Sequence, residues 1–275
     1  MVENSNESPN EVIKVGDDVL IIYDRRKRWI RKVESGKTFH CHKGSFSFDE
    51  IIGKPFGIKI KTSKSVNLTI HKPIVVDFLT QMSHSSQIIY PKDAAIILLY
   101  TDIKPGSKVI EVGTGSGALT VILASYVAPN GRVFTYEVRK NAYKTALKNI
   151  TRLKLDKFVT MKLKNAKEGI EEKEVDAVIL DMGEPWVLIP HAAKVLKTSG
   201  KIAIFLPTYN QVEKTLRALK EEGFDDIMGM ELLSRELQLK EDAIRPMTWT
   251  VGHTGFLIFA RLGNKKWKLK EDYDK

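Results

Sequence analysis

The stretch Val109–Leu119 reads Val-Ile-Glu-Val-Gly-Thr-Gly-Ser-Gly-Ala-Leu. A short β-favouring run meets three glycines at alternate positions, Gly113, Gly115 and Gly117, and an apolar helical pattern continues through Tyr126. Glycine lets a backbone turn sharply and pass close to a ligand where a side chain would block it. The pattern predicts a buried strand, a tight turn and a helix beginning near Ser116, whose free N–H groups face the same space. A ligand there would lie at the carboxyl end of a parallel strand, in the crevice where open α/β sheets bind ligands.

Alone, the glycine run also fits a tight βα turn in any doubly wound protein. It is Gly-x-Gly-x-Gly rather than the dinucleotide Gly-x-Gly-x-x-Gly. No Lys-Ser or Lys-Thr follows it, which argues against the phosphate loop of nucleotide hydrolases. Glu111 stands just before the turn. Glu137 closes a second predicted strand, Arg132–Glu137, where a carboxylate commonly binds a ribose diol. A nicotinamide dinucleotide and S-adenosylmethionine both fit these residues. The Glu-x-Gly-x-Gly-x-Gly form favours the methyl donor.

From the turn onward, strand and helix alternate. Predicted strand Lys108–Val112 leads to helix Ser116–Val127, and Arg132–Glu137 leads to helix Asn141–Leu153. Strand Phe158–Leu163 precedes a charged loop. Val175–Leu180 leads to helix Trp186–Leu196, with Gly200 as its terminator. Lys201–Leu206 leads to helix Asn210–Glu222. Two strand-like stretches, Asp225–Ser234 and Thr254–Arg261, enclose a polar segment, 237–252. Five βα units closed by a hairpin predict an α/β fold: a parallel sheet with an antiparallel strand near its edge. That differs from the two matched halves of a nicotinamide-dinucleotide domain and matches a methyltransferase sheet.

Upstream, short alternating stretches at Lys14–Tyr23, Trp29–Val33, Thr38–His42, Ser45–Phe48 and Phe56–Lys61 predict a small N-terminal β-domain. Helices are expected at Lys72–Met82, after Pro73, and at Asp93–Tyr100. The expected domains are residues 1–70 and 71–275. Met1–Asn10 is polar, and Lys265–Lys275 is a charged tail.

The chain has 275 residues and is 43% hydrophobic, ample for a packed core. Its net charge of +10 fits a polyanionic partner such as nucleic acid, or the lysine-rich surface of a heat-adapted protein. Arg25, Arg26, Lys27, Arg28, Arg31 and Lys32 surround Trp29. They fit phosphate and base contacts, or a solvated hairpin tip with Trp29 turned into the core. No apolar run reaches the length of a membrane span, and residues 1–10 do not read as a signal peptide. The single cysteine, Cys41, leaves no intrachain disulfide and no cysteine metal cluster. These features predict a soluble, cytoplasmic protein.

Asp181-Met-Gly-Glu-Pro-Trp186 follows the fourth predicted strand, on the same rim as the glycine turn. An acid there fits methyl transfer to a base nitrogen, where the site must align the nucleophile with the C–S bond and stabilise the charge the base acquires. A helix N-cap is the plainer reading of Asp181. Trp186 and Tyr90 fit either stacking on a base or the core. His253 fits a general base or a loop histidine fixing the last strand. His40, His42, His71, His84 and His191 have no metal-ligand spacing, so no metal is expected.

Tyr90-Pro-Lys-Asp93, Glu111-Val-Gly-Thr-Gly-Ser-Gly117, Tyr136-Glu137, Asp181-x-x-Glu-Pro-Trp186 and Gly252-His-Thr-Gly-Phe256 occur in this order. Together they resemble the tRNA (adenine-N1)-methyltransferases of the T-loop, the TrmI type of archaea and bacteria. The resemblance covers roughly the whole chain. It implies a class I (Rossmann-like) S-adenosylmethionine methyltransferase sheet with a small N-terminal β-domain. It implies N1-methyladenosine formation at position 58 of tRNA, with position 57 also modified in some archaeal members, and a homotetramer. By the same resemblance Ser116, Gly117, Ala118 and Leu119 contact the methionine part of the donor, within the turn of Gly113 and Gly115. Glu137 takes the ribose hydroxyls, and Asn165 and Ala166 meet the adenine edge. Asp181 and Tyr90 form the target-base pocket as its catalytic pair. Asn165 stands where many methyltransferases carry an acid; an asparagine can both donate to and accept from an adenine.

Two rival readings remain. A protein carboxyl methyltransferase acting on damaged aspartyl residues shares the glycine turn but has no need of the basic β-domain. A non-catalytic RNA-binding subunit would have no need of an intact turn, Glu137 and Asp181.

Overall fold

The structure is a computed structural model, and it describes residues 11–82 and 88–264. The polar stretch 1–10, His84, Gln87 and the charged tail 265–275 lie outside the described residues. The chain divides into two compact units, 1–82 and 83–275.

The first unit is built from antiparallel strands β1 (Asp18–Ile22), β2 (Arg28–Lys32), β3 (Thr38–Cys41), β4 (Gly44–Ser47), β5 (Lys59–Lys61) and β6 (Asn67–His71). The sheet order is β2-β1-β6-β5, with β3-β4 as a separate hairpin. Alternation puts Val19, Ile21, Phe39, Phe46, Leu68 and Ile70 in one core. Trp29 packs partly buried on that core, its ring centroid 5.5 Å from that of Phe39. The neighbouring Arg26, Lys27, Arg28, Arg31 and Lys32 are exposed. Helix α1 (Val75–Gln81) belongs to this unit. Gln81 Oε1 accepts the Ile30 N–H at 2.8 Å, and Arg28 pairs with Asp77 at 3.3 Å. These bonds carry the boundary past residue 70 to Met82.

The second unit begins with α2 (Pro91–Tyr100). It continues with β7 (Lys108–Val112), α3 (Ala118–Val127), β8 (Arg132–Glu137), α4 (Lys140–Arg152), β9 (Val159–Leu163), β10 (Val175–Leu180), α5 (Ile189–Val195), β11 (Leu196–Leu206) and α6 (Tyr209–Glu221). It ends with β12 (Phe224–Glu231), β13 (Leu237–Gln238), β14 (Arg245–Pro246) and β15 (Phe256–Leu262). The seven-stranded sheet has the order β12-β15-β11-β10-β7-β8-β9. The run β11-β10-β7-β8-β9 is parallel, and β15 runs antiparallel between β11 and β12. Strands β7 and β10 read as nearly continuous apolar runs because helices cover both faces, and Val109, Ile110, Val178, Ile179 and Leu180 are fully buried. Fully burying one such side chain contributes ~1.5–3 kcal/mol. Strand order reverses between β7 and β10, so the crevice lies at their carboxyl ends.

Several local expectations are corrected. The α3 helix starts at Ala118 rather than near Ser116, because its N-cap Gly117 is left-handed (φ +81°). The segment 186–196 is a 3-10 turn, Pro185–Leu188, followed by α5. Pro190 has no N–H to offer the Trp186 carbonyl, which takes the Ile189 N–H instead. Gly200 terminates no helix. The left-handed residue there is Ser199 (φ +61°), and β11 already runs through it from Leu196. The first strand begins at Asp18 because Lys14–Asp17 closes a turn, with Asp17 Oδ2 accepting the Lys14 N–H at 2.8 Å.

Candidate active site

The turn after β7 shows why three glycines stand at alternate positions. Gly113, Gly115 and Gly117 have φ of +102°, +56° and +81°. A Cβ on Gly113 would lie 1.9 Å from the Asp181 carbonyl oxygen, and one on Gly117 3.1 Å from Ala146 Cβ in α4. Asn149, also in α4, donates to the Ser116 carbonyl at 2.8 Å. The first α3 amide to find a carbonyl is Val121, bonded to Gly117 O. The Ala118 and Leu119 amides before it start the helix with no intrahelical carbonyl to bond.

Glu137 ends β8 and is 4% exposed. Its Oε2 accepts the Gly115 N–H at 2.8 Å. Its Oε1 accepts the backbone N–H groups of Val138 and Arg139, and Arg139 Nε at 3.3 Å. Burial opposes ionisation, but these donors win and hold the carboxyl below its usual value.

Two cavities meet at this rim. One, of about 180 Å³, is lined by Gly113, Gly115, Ser116, Ala118 and Leu119 together with Ile88, Ile89 and Asp181. The second, of about 240 Å³, is lined by Glu137, Asn165, Ala166, Met182 and Leu188 among others. Gly113, Arg139 and Asp181 line both. The Asp181 N–H donates to Val112 O at 2.9 Å, which holds its backbone against the glycine turn. Burial raises its carboxyl to about 7, the Arg139 charge opposing and the Glu137 charge adding to the shift. Asn165 caps a 3-10 turn, its Oδ1 accepting the Lys167 N–H at 3.0 Å. That loop is braced by Lys162 and Lys164 on Glu171, and by Lys162 and the Tyr136 hydroxyl on Glu172.

Glu111 does not face the cavities. Thr120 and Thr135 hydroxyls donate to its Oε2 at 2.5 and 2.6 Å, while its Oε1 is buried without a partner. Burial raises it to about 8, against those two hydrogen bonds. Ser116 Oγ is likewise buried and unpartnered. Tyr90 is the N-cap of α2 and is exposed; Ile88 and Ile89, the apolar pair before it, form the wall instead. Trp186 lines neither cavity. It packs on the core with Lys214 4.9 Å over its ring. His253 has both ring nitrogens engaged, Nδ1 with Glu231 at 2.6 Å and Nε2 with Pro207 O at 3.0 Å. Among the described residues no cluster of three or more His, Cys, Asp or Glu side chains is arranged to hold a metal. Arg139 is the lining residue least expected from sequence; its place two residues after Glu137 is the only signal for it.

A family profile described as the tRNA methyltransferase complex GCD14 subunit matches residues 77–245. The tRNA (adenine(57)-N(1)/adenine(58)-N(1))-methyltransferase TrmI of Methanocaldococcus jannaschii is 34% identical over 269 residues, covering 88% of this chain and 94% of that one. This chain belongs to the TrmI family of tRNA methyltransferases. The family's N-terminal profile, TrmI-like N-terminal, matches residues 12–60 of the first unit. The Thermus thermophilus tRNA (adenine(58)-N(1))-methyltransferase TrmI is 33% identical over 251 residues, covering 90% and 97% of the two chains. Among solved structures, tRNA (m1A58) methyltransferase TrmI from Aquifex aeolicus superposes with a TM-score of 0.79 at 31% identity, over 91% of this chain and 98% of that one. The structure of a SAM-dependent O-methyltransferase from Thermotoga maritima superposes at 0.86 with 35% identity, over 94% and 97%. The TrmI-family sheet of this chain is that of S-adenosylmethionine methyltransferases, with the small β-unit ahead of it.

Proposed function

We propose that this chain transfers a methyl group from S-adenosylmethionine to N1 of an adenosine in the T-loop of tRNA, at position 58, with position 57 a candidate second site. The observation that carries this reading is the place of Asp181, which lines both cavities and so stands where donor and acceptor would meet.

The residues fit the donor. Its ribose diol calls for a carboxylate, and Glu137 offers Oε2, which accepts one protein hydrogen bond. Its methionine end calls for close backbone, which Gly113, Gly115 and Gly117 supply, and for amides with no backbone partner, for which Ser116, Ala118 and Leu119 at the helix start are the candidates. Asn165 and Ala166 stand at the second cavity for the adenine edge. When bound, the donor supplies a methyl on a sulfonium: the C–S bond breaks as the N1–C bond forms, and the positive charge passes to the adenine ring. Asp181, ionised, accepts a hydrogen bond from the exocyclic amine of the target and stabilises that charge. Tyr90, exposed and lining neither cavity, would meet the acceptor from beside the Ile88–Ile89 wall. Adenine N1 is buried by pairing in folded tRNA, so the base has to be extruded first.

A homotetramer and a cytoplasmic location belong to the same reading. Large apolar side chains on the arm between β12 and β15, Leu239, Ile244 and Trp249, are exposed, Trp249 at 89%, which fits burial against further copies. No helix among the described residues is long and apolar enough to cross a membrane.

The test is nucleoside mass analysis of unmodified tRNA incubated with the protein and S-adenosylmethionine. N1-methyladenosine at the T-loop is expected. Its absence overturns the reading. Methylation of an isoaspartyl peptide but not of RNA would favour oxygen-acceptor chemistry, and failure to bind the donor in calorimetry would favour a non-catalytic subunit.

A further inference from the structure

Three polar side chains outside both cavities form a closed set. Lys92 and Asp93 open α2, directly after Tyr90 and Pro91, and Thr254 lies in the loop before β15. Lys92 Nζ donates to Asp93 Oδ1 and to Thr254 Oγ1, both at 2.7 Å. Thr254 Oγ1 donates to Asp93 Oδ2 at 3.0 Å. Asp93 is fully buried and Thr254 is 5% exposed. A buried ion pair of this kind is a poor source of net stability, because desolvating two charges offsets most of their attraction. What it supplies is direction: each bond fixes an angle as well as a distance.

The Thr254 loop is itself fixed from the other side. His253 joins Glu231 at the end of β12 to the Pro207 carbonyl just past β11. A Cβ on Gly255 would lie 2.4 Å from the Phe205 ring, so that ring packs directly on the loop backbone. The loop therefore ties the first turn of α2 to the ends of β11 and β12. One residue before that turn comes Tyr90, preceded by the Ile88–Ile89 wall, which lines the first cavity together with Asp181. The other wall, from Gly113 to Leu119, is held separately by α4 and Glu137.

We infer that Lys92, Asp93 and Thr254 are positioning residues: they fix the Ile88–Ile89 wall that shares the first cavity with Asp181, and they make no bond to the glycine turn or to Glu137 on the donor side. This rests on the proposed methyl transfer. A wall displaced by about an ångström spoils in-line approach and costs ten- to a hundredfold in rate, while the glycine turn and Glu137, held by other bonds, keep their grip on the donor.

The decisive variant is Thr254→Val, which keeps the shape and removes both hydrogen bonds, with Thr254→Ser as the rescue. Calorimetry reads S-adenosylmethionine affinity, single-turnover assays read methyl transfer to tRNA, and hydrogen exchange reads the amides of residues 89–94 and 113–121. Thr254→Val is expected to bind the donor within twofold of the parent, transfer at least about tenfold more slowly, and exchange faster at 89–94 only. Thr254→Ser is expected to restore both. A parent-like rate and unchanged exchange at 89–94 would overturn the inference, as would a loss of donor affinity that matches the loss of rate. A parent protein inert on tRNA would overturn the proposed reaction instead, and the exchange comparison would still decide whether the network holds the wall.

Discussion

The place a side chain would take on Gly113 is filled by the backbone carbonyl of Asp181, 1.9 Å from where a Cβ would stand. The glycine turn and Asp181 are therefore packed backbone to backbone, one at the end of β7 and the other at the end of β10. Gly113→Ala cannot be absorbed by a side-chain movement. It is expected to cost about 2–4 kcal/mol, from a positive φ and a forced separation of two strand ends. Gly117→Ala meets only Ala146 at 3.1 Å and should cost less. Thermal unfolding of the two variants tests the ranking, and donor affinity should fall in the same order.

Asp181 sets the expected pH dependence. Burial holds its carboxyl near 7, so a neutral acid stands in the free enzyme below that value. A neutral acid does not stabilise a developing cation. The apparent kcat/KM for tRNA should fall about tenfold per pH unit below about 7. Asp181→Asn should lose that limb of the profile and about 100- to 1000-fold of the rate, while still binding donor.

Glu111 makes the opposite kind of prediction, about stability alone. Its folded-state value is raised to about 8, so the folded protein keeps a proton that the unfolded chain releases above its ordinary value of 4.5. Stability contributed at this site falls as pH rises from there to about 8, then levels. Glu111→Gln has no such proton to lose. Its melting temperature relative to the parent should climb between pH 5 and pH 8 and stay flat above.

His253 is raised above its usual 6.5, first by its hydrogen bond to Glu231 and then by that to the Pro207 carbonyl. Its contribution is complete below the unfolded value and is lost as pH rises through the higher folded one. The melting-temperature gap between the parent and His253→Ala should be widest at pH 6 and close at alkaline pH.

The exposed Arg26, Lys27 and Lys32 of the first unit supply a test of the proposed RNA partner. Removing a phosphate contact reduces the salt slope of affinity by about one per contact. Alanine at all three should weaken tRNA binding at low salt, flatten its salt dependence and leave donor affinity alone. Filter binding across a salt series reads both.

The sheet was legible because its strands are buried on both faces: Lys108–Val112, Arg132–Glu137 and Val175–Leu180 stand at their expected bounds. Glycines that need positive φ announced the turn. Proline chemistry, the left-handed Ser199 and the N-terminal turn at Lys14–Asp17 shifted local boundaries, since each depends on local backbone geometry rather than on periodicity. At the rim, Glu137 and Asp181 were readable as acids at strand ends. Ile88, Ile89 and Arg139 were not, because an apolar pair and an exposed arginine look the same in a wall as elsewhere. The bonds that join Thr254 to Asp93 cross 161 residues and left no local trace.

The order of the strands bears on how the protein is made. Strand β15 follows β12 in sequence yet lies between β11 and β12 in the sheet. Until it emerges from the ribosome, β11 presents an open edge and β12 has no neighbour to pair with. The glycine turn, Glu137 and Asp181 are already translated by then. A nascent chain thus holds these residues before its sheet can close, and the methyl donor proposed to bind them would be in a position to act as a folding ligand during that interval.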